Sequence, residues 1–232
     1  MQETCAAIIV AAGASRRMQG RDKLWLPLGN RVTLARTIDV FEASPLIHTV
    51  VLVLNAARLT EARQLHEHEG WRKIAAIVAG GDRRQDSVRI GLDTLAEAAP
   101  TTRWVMIHDG ARPLITPAIL DAGLNAAQQH QAAIAAVPVK DTIKQVQHDL
   151  VCATLDRAQL WMVQTPQVFA FSLIHQAHHS AAAQEDVTDD AALLERLGHP
   201  VAVFPGAYSN IKITTQEDLL LAEALIQGLH TP

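Results

Sequence analysis

Short apolar runs rich in Val, Ile and Ala recur along this chain at 6–10, 49–54, 74–78, 104–107 and 133–137, and stretches of helical periodicity separate them. This alternation constrains the fold more than any other feature. A run with no polar alternation needs cover on both faces, and a helix between successive runs carries the chain back so that the strands lie parallel. The helical stretches show the stripes that such cover requires, at Leu34, Ile38 and Phe41, at Val88, Leu92 and Leu95, and at Ile119, Leu120 and Leu124. The expected class is α/β, a Rossmann-like three-layer arrangement around a mostly parallel sheet. A chain of 232 residues, 49% of them hydrophobic, can bury one large core, so a single domain over 1–232 is expected. Two later helices carry legible ends: Thr188 precedes Asp189 and Asp190 as a first turn favourable to the helix dipole, with Gly198 closing that helix, and Thr215 precedes Glu217 and Asp218.

Between 138 and 168 the rhythm changes. Lys140 to Val146 and Leu150 to Leu155 read as short strands around a polar turn at Gln147-His148-Asp149, with no helix between them. An isolated hairpin is marginal alone, so this arm is expected to pack on a second copy of the chain, making a homodimer.

The net charge of −4 argues against a nucleic-acid groove or an anionic membrane surface as partner. No 18-residue apolar span and no signal-peptide pattern is present, which leads to the expectation of a cytoplasmic protein. Cys5 and Cys152 match no CxxC or zinc spacing and are expected to be reduced thiols.

The chemistry concentrates in a few loops. After the first strand, Ala11, Ala12 and Gly13 let backbone N–H groups approach a ligand, and Arg16, Arg17 and Lys23 bring cations to the same place, a combination suited to a polyphosphate. The segment is neither a P-loop nor GxGxxG, since Ser15 stands where the second glycine of the latter belongs. Asp109 ends the 104–107 run at the carboxyl end of a central strand, where open α/β sheets hold ligands; it suits magnesium, which needs one or two carboxylates plus phosphate oxygens and water. The alternative is an Asp that bonds its own turn, and Arg112 nearby favours the anion site. Gly80 and Gly81 permit close backbone contact with a base or ribose, whereas Arg83 and Arg84 read as solvated surface cations. Lys212, on an expected late strand, can reach phosphates or snorkel at a sheet edge. His175, His178 and His179 stand at helical spacings, but no carboxylate or cysteine completes a metal set nearby in sequence, so a metal site is not expected there. No GxSxG or HExxH motif occurs.

Taken together the blocks resemble one family. AAGASRRM at 11–18, Lys23 with LPLG at 26–29, GGDRRQDSV at 80–88, HDGARP at 108–113, VPVKDTIK at 137–144, LDR at 155–157, QTPQVF at 164–169, TDDAALLE at 188–195 and NIKIT at 210–214 are similar, in order and over nearly the whole chain, to the 2-C-methyl-D-erythritol 4-phosphate cytidylyltransferases. The chain departs from that pattern at Ser15 and Leu24. The resemblance implies a nucleotidyltransferase fold with a dimerising arm, CTP as co-substrate, Mg²⁺ as cofactor and a sugar-alcohol phosphate as acceptor. It implies that Ala11, Ala12, Gly13, Gly81, Asp82 and Ser87 hold the cytidine, with Gly110 placed beside them. Arg17, Lys23 and Lys212 would serve the reacting phosphates and Asp109 the metal. Arg112, Thr165 and Thr188 would surround the acceptor, with Thr142 and Arg157 reaching a partner's site. Ribitol 5-phosphate or molybdopterin as acceptor, or a nucleotide-binding module without turnover, are the alternative readings.

Overall fold

The computed structural model describes residues 4–13 and 22–228. In chain order the elements are β1 (Thr4–Ala11), β2 (Pro27–Leu28), β3 (Arg31–Val32), α1 (Thr33–Ala43), β4 (Ile47–Leu54), α2 (Leu59–Glu69), β5 (Ile74–Ala79), α3 (Arg84–Ala98) and β6 (Thr102–Asp109). Then follow α4 (Pro117–His130), β7 (Ala132–Pro138), β8 (Lys144–Gln147), β9 (Leu150–Thr154), β10 (Trp161–Ala170), α5 (Phe171–His178), α6 (Ala191–Arg196), β11 (Ala202–Pro205) and α7 (Gln216–Gly228). All five runs read as strands lie in strands, and all three apolar stripes are buried in α1, α3 and α4.

Seven strands form one sheet in the order β11-β7-β10-β6-β1-β4-β5, parallel except for β10, which runs antiparallel to both neighbours. The two faces divide the core as the period-2 geometry of a strand requires. Ala7, Ile9 and Ala11 of β1 pack with Leu34, Ile38 and Phe41 of α1 and Leu120 of α4, while Ala6, Ile8 and Val10 pack with Val88, Leu92 and Leu95 of α3 and Ile174 of α5. The result is three layers.

The chain moves from β1 outwards to β4 and β5, then crosses back to place β6 on the other side of β1. This reversal opens a crevice beyond the carboxyl ends of β1 and β6, where Val10 is paired with Asp109.

Pairing of β8 with β9 confirms the hairpin, and its turn residues His148 and Asp149 have φ of 49° and 63°, the left-handed pair of a two-residue hairpin loop. The arm departs from the sheet after Pro138 and rejoins it at Trp161, paired with Pro138. Apolar side chains on it are exposed: Val146, Leu150 and Val151 are 54%, 72% and 62% accessible.

The late strand expected at Lys212 does not form; residues 210–214 run as an irregular segment tied to Gln164 and Thr165 of β10 through Asn210 and to the Ala111 carbonyl through the Ile213 N–H. Of the two acids before α6, Asp189 accepts the Ala192 N–H as a cap, but Asp190 turns into the interior, where an Arg side chain recruits it. In α7 the expectation holds, with Asp218 accepting the N–H groups of Thr214 and Thr215 while its own N–H donates to the Thr215 hydroxyl.

Candidate active site

The crevice holds a cleft of about 340 Å³ lined by Ala11, Ala12, Gly13, Lys23, Gly81, Asp82, Ser87, Asp109 and Lys212, bringing together nine of the predicted residues. A second hollow of about 260 Å³ is lined by Arg112, Thr165, Thr188, Asp189, Gln164 and Gln167. Arg84, Asp109 and Lys212 line both. The two spaces therefore meet at one carboxylate.

Close packing shapes the first cleft. A side chain at Gly80 would overlap Ala12 and the Ser87 hydroxyl, so only glycine lets the β5–α3 loop lie against the loop after β1. The buried Ser87 hydroxyl accepts the Gly81 N–H at 3.1 Å and so fixes the turn that presents Gly81 and Asp82. Lys23 opens a short 3₁₀ turn over Lys23–Trp25, capped by Asp22 through the Leu24 N–H; Asp22 is itself bound by Arg58 at 3.2 Å. Leu24, one of the two departures from the family pattern, is buried in the core beneath that turn. Ser15, the other departure, and Arg16 and Arg17 lie outside the described residues.

Asp109 ends β6 almost fully buried. Its Oδ1 lies 3.2 Å from Arg84 Nε, and its Oδ2 lies 2.7 Å from Lys212 Nζ and 3.9 Å from Arg112 Nε. Burial alone would raise this carboxyl, but Arg84, Lys212 and Arg112 outweigh it and hold Asp109 well below the usual carboxylate range. Arg84 is the hinge of the cluster, because its Nη1 also reaches Asp190 Oδ2 at 2.8 Å. Asp190 is fully buried; against the burial that would raise it, Arg84 keeps its carboxyl low. Behind it His178 Nε2 stands 3.3 Å from Asp190 Oδ1, without the alignment of a hydrogen bond. Three cations thus face two buried carboxylates, and the surplus positive charge faces both clefts.

The segments that carry Thr188 and Lys212 are irregular, and buried amides hold them. Gln167 of β10 accepts the N–H groups of Asp190 and Ala191 and donates to Asp189, and Gln85 of α3 donates to the Ala183 and Glu185 carbonyls while accepting the Val187 N–H. Gln164 donates to the Ala207 carbonyl and accepts from Asn210, whose amide also donates to the Thr165 carbonyl. Arg112 Nη1 donates to the Asn210 carbonyl at 2.7 Å. The Thr165 hydroxyl accepts the Asp109 N–H at 3.0 Å, leaving its own proton for the second hollow.

Several expectations change here. Arg83 is the surface cation expected, paired with Asp86 and Asp186. Arg84 is not: its partners lie 25 and 106 residues away, so no local signal marks it. Asp190, Gln164, Gln167 and Asn210 escape a sequence reading for the same reason. Gly110 does not line the cleft. Its N–H is bound to the Val10 carbonyl, its own carbonyl accepts the Thr37 hydroxyl, and a Cβ there would press on Ala11 at 3.0 Å, so it is a packing glycine. Thr142 and Arg157 sit exposed on the arm, lining neither space, with Arg157 donating to the Lys140 carbonyl.

Comparison with known proteins agrees with this geometry. The family model described as 2-C-methyl-D-erythritol 4-phosphate cytidylyltransferase matches residues 5–228. Relatives of that name include one from Dehalococcoides mccartyi strain 195, 46% identical with 98% of each chain covered, and one from Syntrophotalea carbinolica, 47% identical with 94% of each covered. Among solved structures, a 4-diphosphocytidyl-2C-methyl-D-erythritol synthase from Anaerococcus prevotii superposes with a TM-score of 0.86 at 33% identity, covering 97% of this chain and 96% of that one. A 2-C-methyl-D-erythritol 4-phosphate cytidylyltransferase from Thermus thermophilus gives a TM-score of 0.75 at 29% identity, covering 95% and 98%. Similarity over nearly the full length, joined to a phosphate-suited cluster at the sheet's switch point, places the chain in the 2-C-methyl-D-erythritol 4-phosphate cytidylyltransferase family.

Proposed function

We propose that the chain transfers CMP from CTP to 2-C-methyl-D-erythritol 4-phosphate, giving 4-diphosphocytidyl-2-C-methyl-D-erythritol and pyrophosphate, in the crevice around Asp109. The observation that carries this reading is the single ionised carboxylate ringed by Arg84, Lys212 and Arg112 where two clefts meet. Two polyanionic substrates need such a place.

The substrate phosphate attacks the α-phosphorus of CTP and pyrophosphate leaves. A phosphate monoester has a second pKa of ~6, so the nucleophile arrives largely dianionic and no residue has to remove a proton. The protein's task is to bring like charges together in line and to stabilise the charge that spreads over the phosphoryl oxygens. Ala11, Ala12, Gly13, Gly81, Asp82 and Ser87 take the nucleotide, and Lys23 with Arg17 binds its phosphates. Lys212 gives up its contact with Asp109 for the reacting phosphates, while Arg112, Thr165 and Thr188 hold the acceptor. The donor chemistry at Asp109 fits Mg²⁺, since a hard carboxylate oxygen kept ionised and facing an open cleft leaves the remaining positions to phosphate oxygens and water. Bound there, the ion would neutralise phosphate charge and help align the reacting groups.

The exposed apolar side chains of the arm support a homodimer in which Thr142 and Arg157 complete the partner's acceptor site, with 1–232 forming one nucleotidyltransferase domain and 138–168 its arm. No described helix is long and apolar enough to cross a membrane. The enzyme is read as cytoplasmic. Pyrophosphate release from CTP, measured with 2-C-methyl-D-erythritol 4-phosphate, ribitol 5-phosphate and molybdopterin in turn, tests the reading: turnover with the first supports it. Turnover only with another acceptor, or with none, overturns it.

A further inference from the structure

On the face of the sheet that carries α3 and α5, away from the crevice, two imidazoles and a carboxylate converge. His175 and His179 stand four residues apart on α5 and just beyond its end, and Asp93 reaches them from α3. Asp93 Oδ1 lies 3.2 Å from His175 Nε2 and 3.1 Å from His179 Nε2, and the three ligand-type atoms all fall within 4.8 Å of one another. The sequence lacked a carboxylate to complete the histidines; the fold supplies one from 82 residues away.

The hydrogen bonding around the cluster says what it is arranged to hold. His179 Nδ1 lies 2.8 Å from the His175 carbonyl, which can only accept, so Nδ1 carries a proton and Nε2 is the ring atom left to face a metal. His179 Nε2 and Asp93 Oδ1 stand 3.1 Å apart without the alignment of a hydrogen bond, while His175 Nε2 donates to the same oxygen at 3.2 Å. A metal ion held by the three atoms would take the place of the His175 Nε2 proton. A backbone carbonyl that fixes the tautomer is also the usual outer support of a metal-bound imidazole. With metal–nitrogen and metal–oxygen bonds of about 2.0–2.2 Å and tetrahedral angles, neighbouring ligand atoms stand about 3.4 Å apart, close to the two Nε2–Oδ1 distances. The side chains of Asp93, His175 and His179 are 38%, 34% and 42% exposed, so the imidazoles can rotate to close the triangle and water can take the fourth position.

We propose that Asp93, His175 and His179 form a second metal site, selective for zinc-class late first-row divalent ions. Two imidazole nitrogens favour such ions over Mg²⁺. Arg89, whose Nη1 lies 3.3 Å from Asp93 Oδ2, occupies the carboxylate's other oxygen and directs Oδ1 to the histidines. Occupancy would staple α3, which begins at Arg84, to α5, which ends at His178 beside Asp190.

The test uses the full chain, stripped with a chelator and dialysed, with ZnCl₂ as probe and excess Mg²⁺ present throughout. Calorimetric titration should give one tight Zn²⁺ per chain, and Zn²⁺ at ~100 times its Kd should raise Tm by about 5 °C or more. Co²⁺ should give the strong visible absorption of a four-coordinate nitrogen–oxygen site. His175→Gln/His179→Gln and, separately, Asp93→Asn should lose the binding and the Tm rise while matching the wild-type Tm in chelator. A Cys152→Ser control should retain both, since that exposed thiol is another possible ligand. Zn²⁺ binding of unchanged affinity in the double-histidine variant, or no tight site in the wild type, overturns the proposal.

Discussion

Asp190→Asn is the perturbation that most sharply tests how the site is held, because it changes one charge that touches no substrate. At 2.8 Å the Arg84–Asp190 pair attracts by about 6 kcal/mol at an effective dielectric of ~20, and desolvation offsets much of that. Removing one partner of a buried pair costs about 3–5 kcal/mol. Arg84 keeps Asp109 as a second partner and a side chain 27% exposed, so the lower end, about 3 kcal/mol, is expected. In a chain of 232 residues this lowers Tm by about 6–12 °C. Without Asp190, Arg84 holds Asp109 less rigidly, and kcat for cytidylyl transfer should fall ~10-fold or more. The assay is a double-mutant cycle with Arg84→Met, read by thermal or urea unfolding and by pyrophosphate release. A coupling of about 2–3 kcal/mol is expected, with Asp190→Asn nearly silent once Arg84 is gone. Additivity within ~0.5 kcal/mol would refute the bridge as the organising element.

Lys23→Ala should lower kcat ~100-fold or more while CTP binding weakens less, since its charge matters most where phosphoryl charge develops; steady-state kinetics beside CTP titration decides, and lost affinity at unchanged kcat would remove its catalytic role. Burial pushes the Cys5 thiol up to about 12, so a thiol reagent at pH 8 should leave Cys5 unmodified in the folded protein and label it only on unfolding, as mass spectrometry of the Cys5 peptide would show. For the arm, Lys23→Ala and Arg157→Ala proteins should each be nearly inactive, yet equal co-expression should restore about a quarter of the sites, because half of randomly paired dimers are mixed and one site in each is intact. A mixture as inactive as its parents would mean that Arg157 serves its own subunit.

How far the sequence could be read follows the range of each interaction. Strand runs and helix stripes are local patterns, so the β1, β4, β5, β6 and β7 cores and the 144–154 hairpin were legible from residues alone. Asp109 was legible too, because its place at a strand end is a local fact with a general consequence in α/β sheets. Arg84 and Asp190 were not, since each looks like an ordinary residue at a helix start until the fold brings them within 2.8 Å. The late strand expected at Lys212 failed for a related reason: Gln164, Thr165 and Arg112, distant in sequence, hold that segment through Asn210. Gly110 misled through its neighbour, sharing the motif of Asp109 while serving the contact with β1 and α1.

The most direct test of the central claim is the rate of pyrophosphate release from CTP as 2-C-methyl-D-erythritol 4-phosphate and Mg²⁺ are varied, for the wild type and for Asp109→Asn. The exchange keeps the shape of the side chain and removes its charge at the point where both clefts meet. The wild type should turn over only when CTP, acceptor and Mg²⁺ are all present, and Asp109→Asn, still folded by circular dichroism, should need far more Mg²⁺ and remain ~100-fold slower when saturated. A folded Asp109→Asn that matches the wild type in Mg²⁺ dependence and rate would contradict the account.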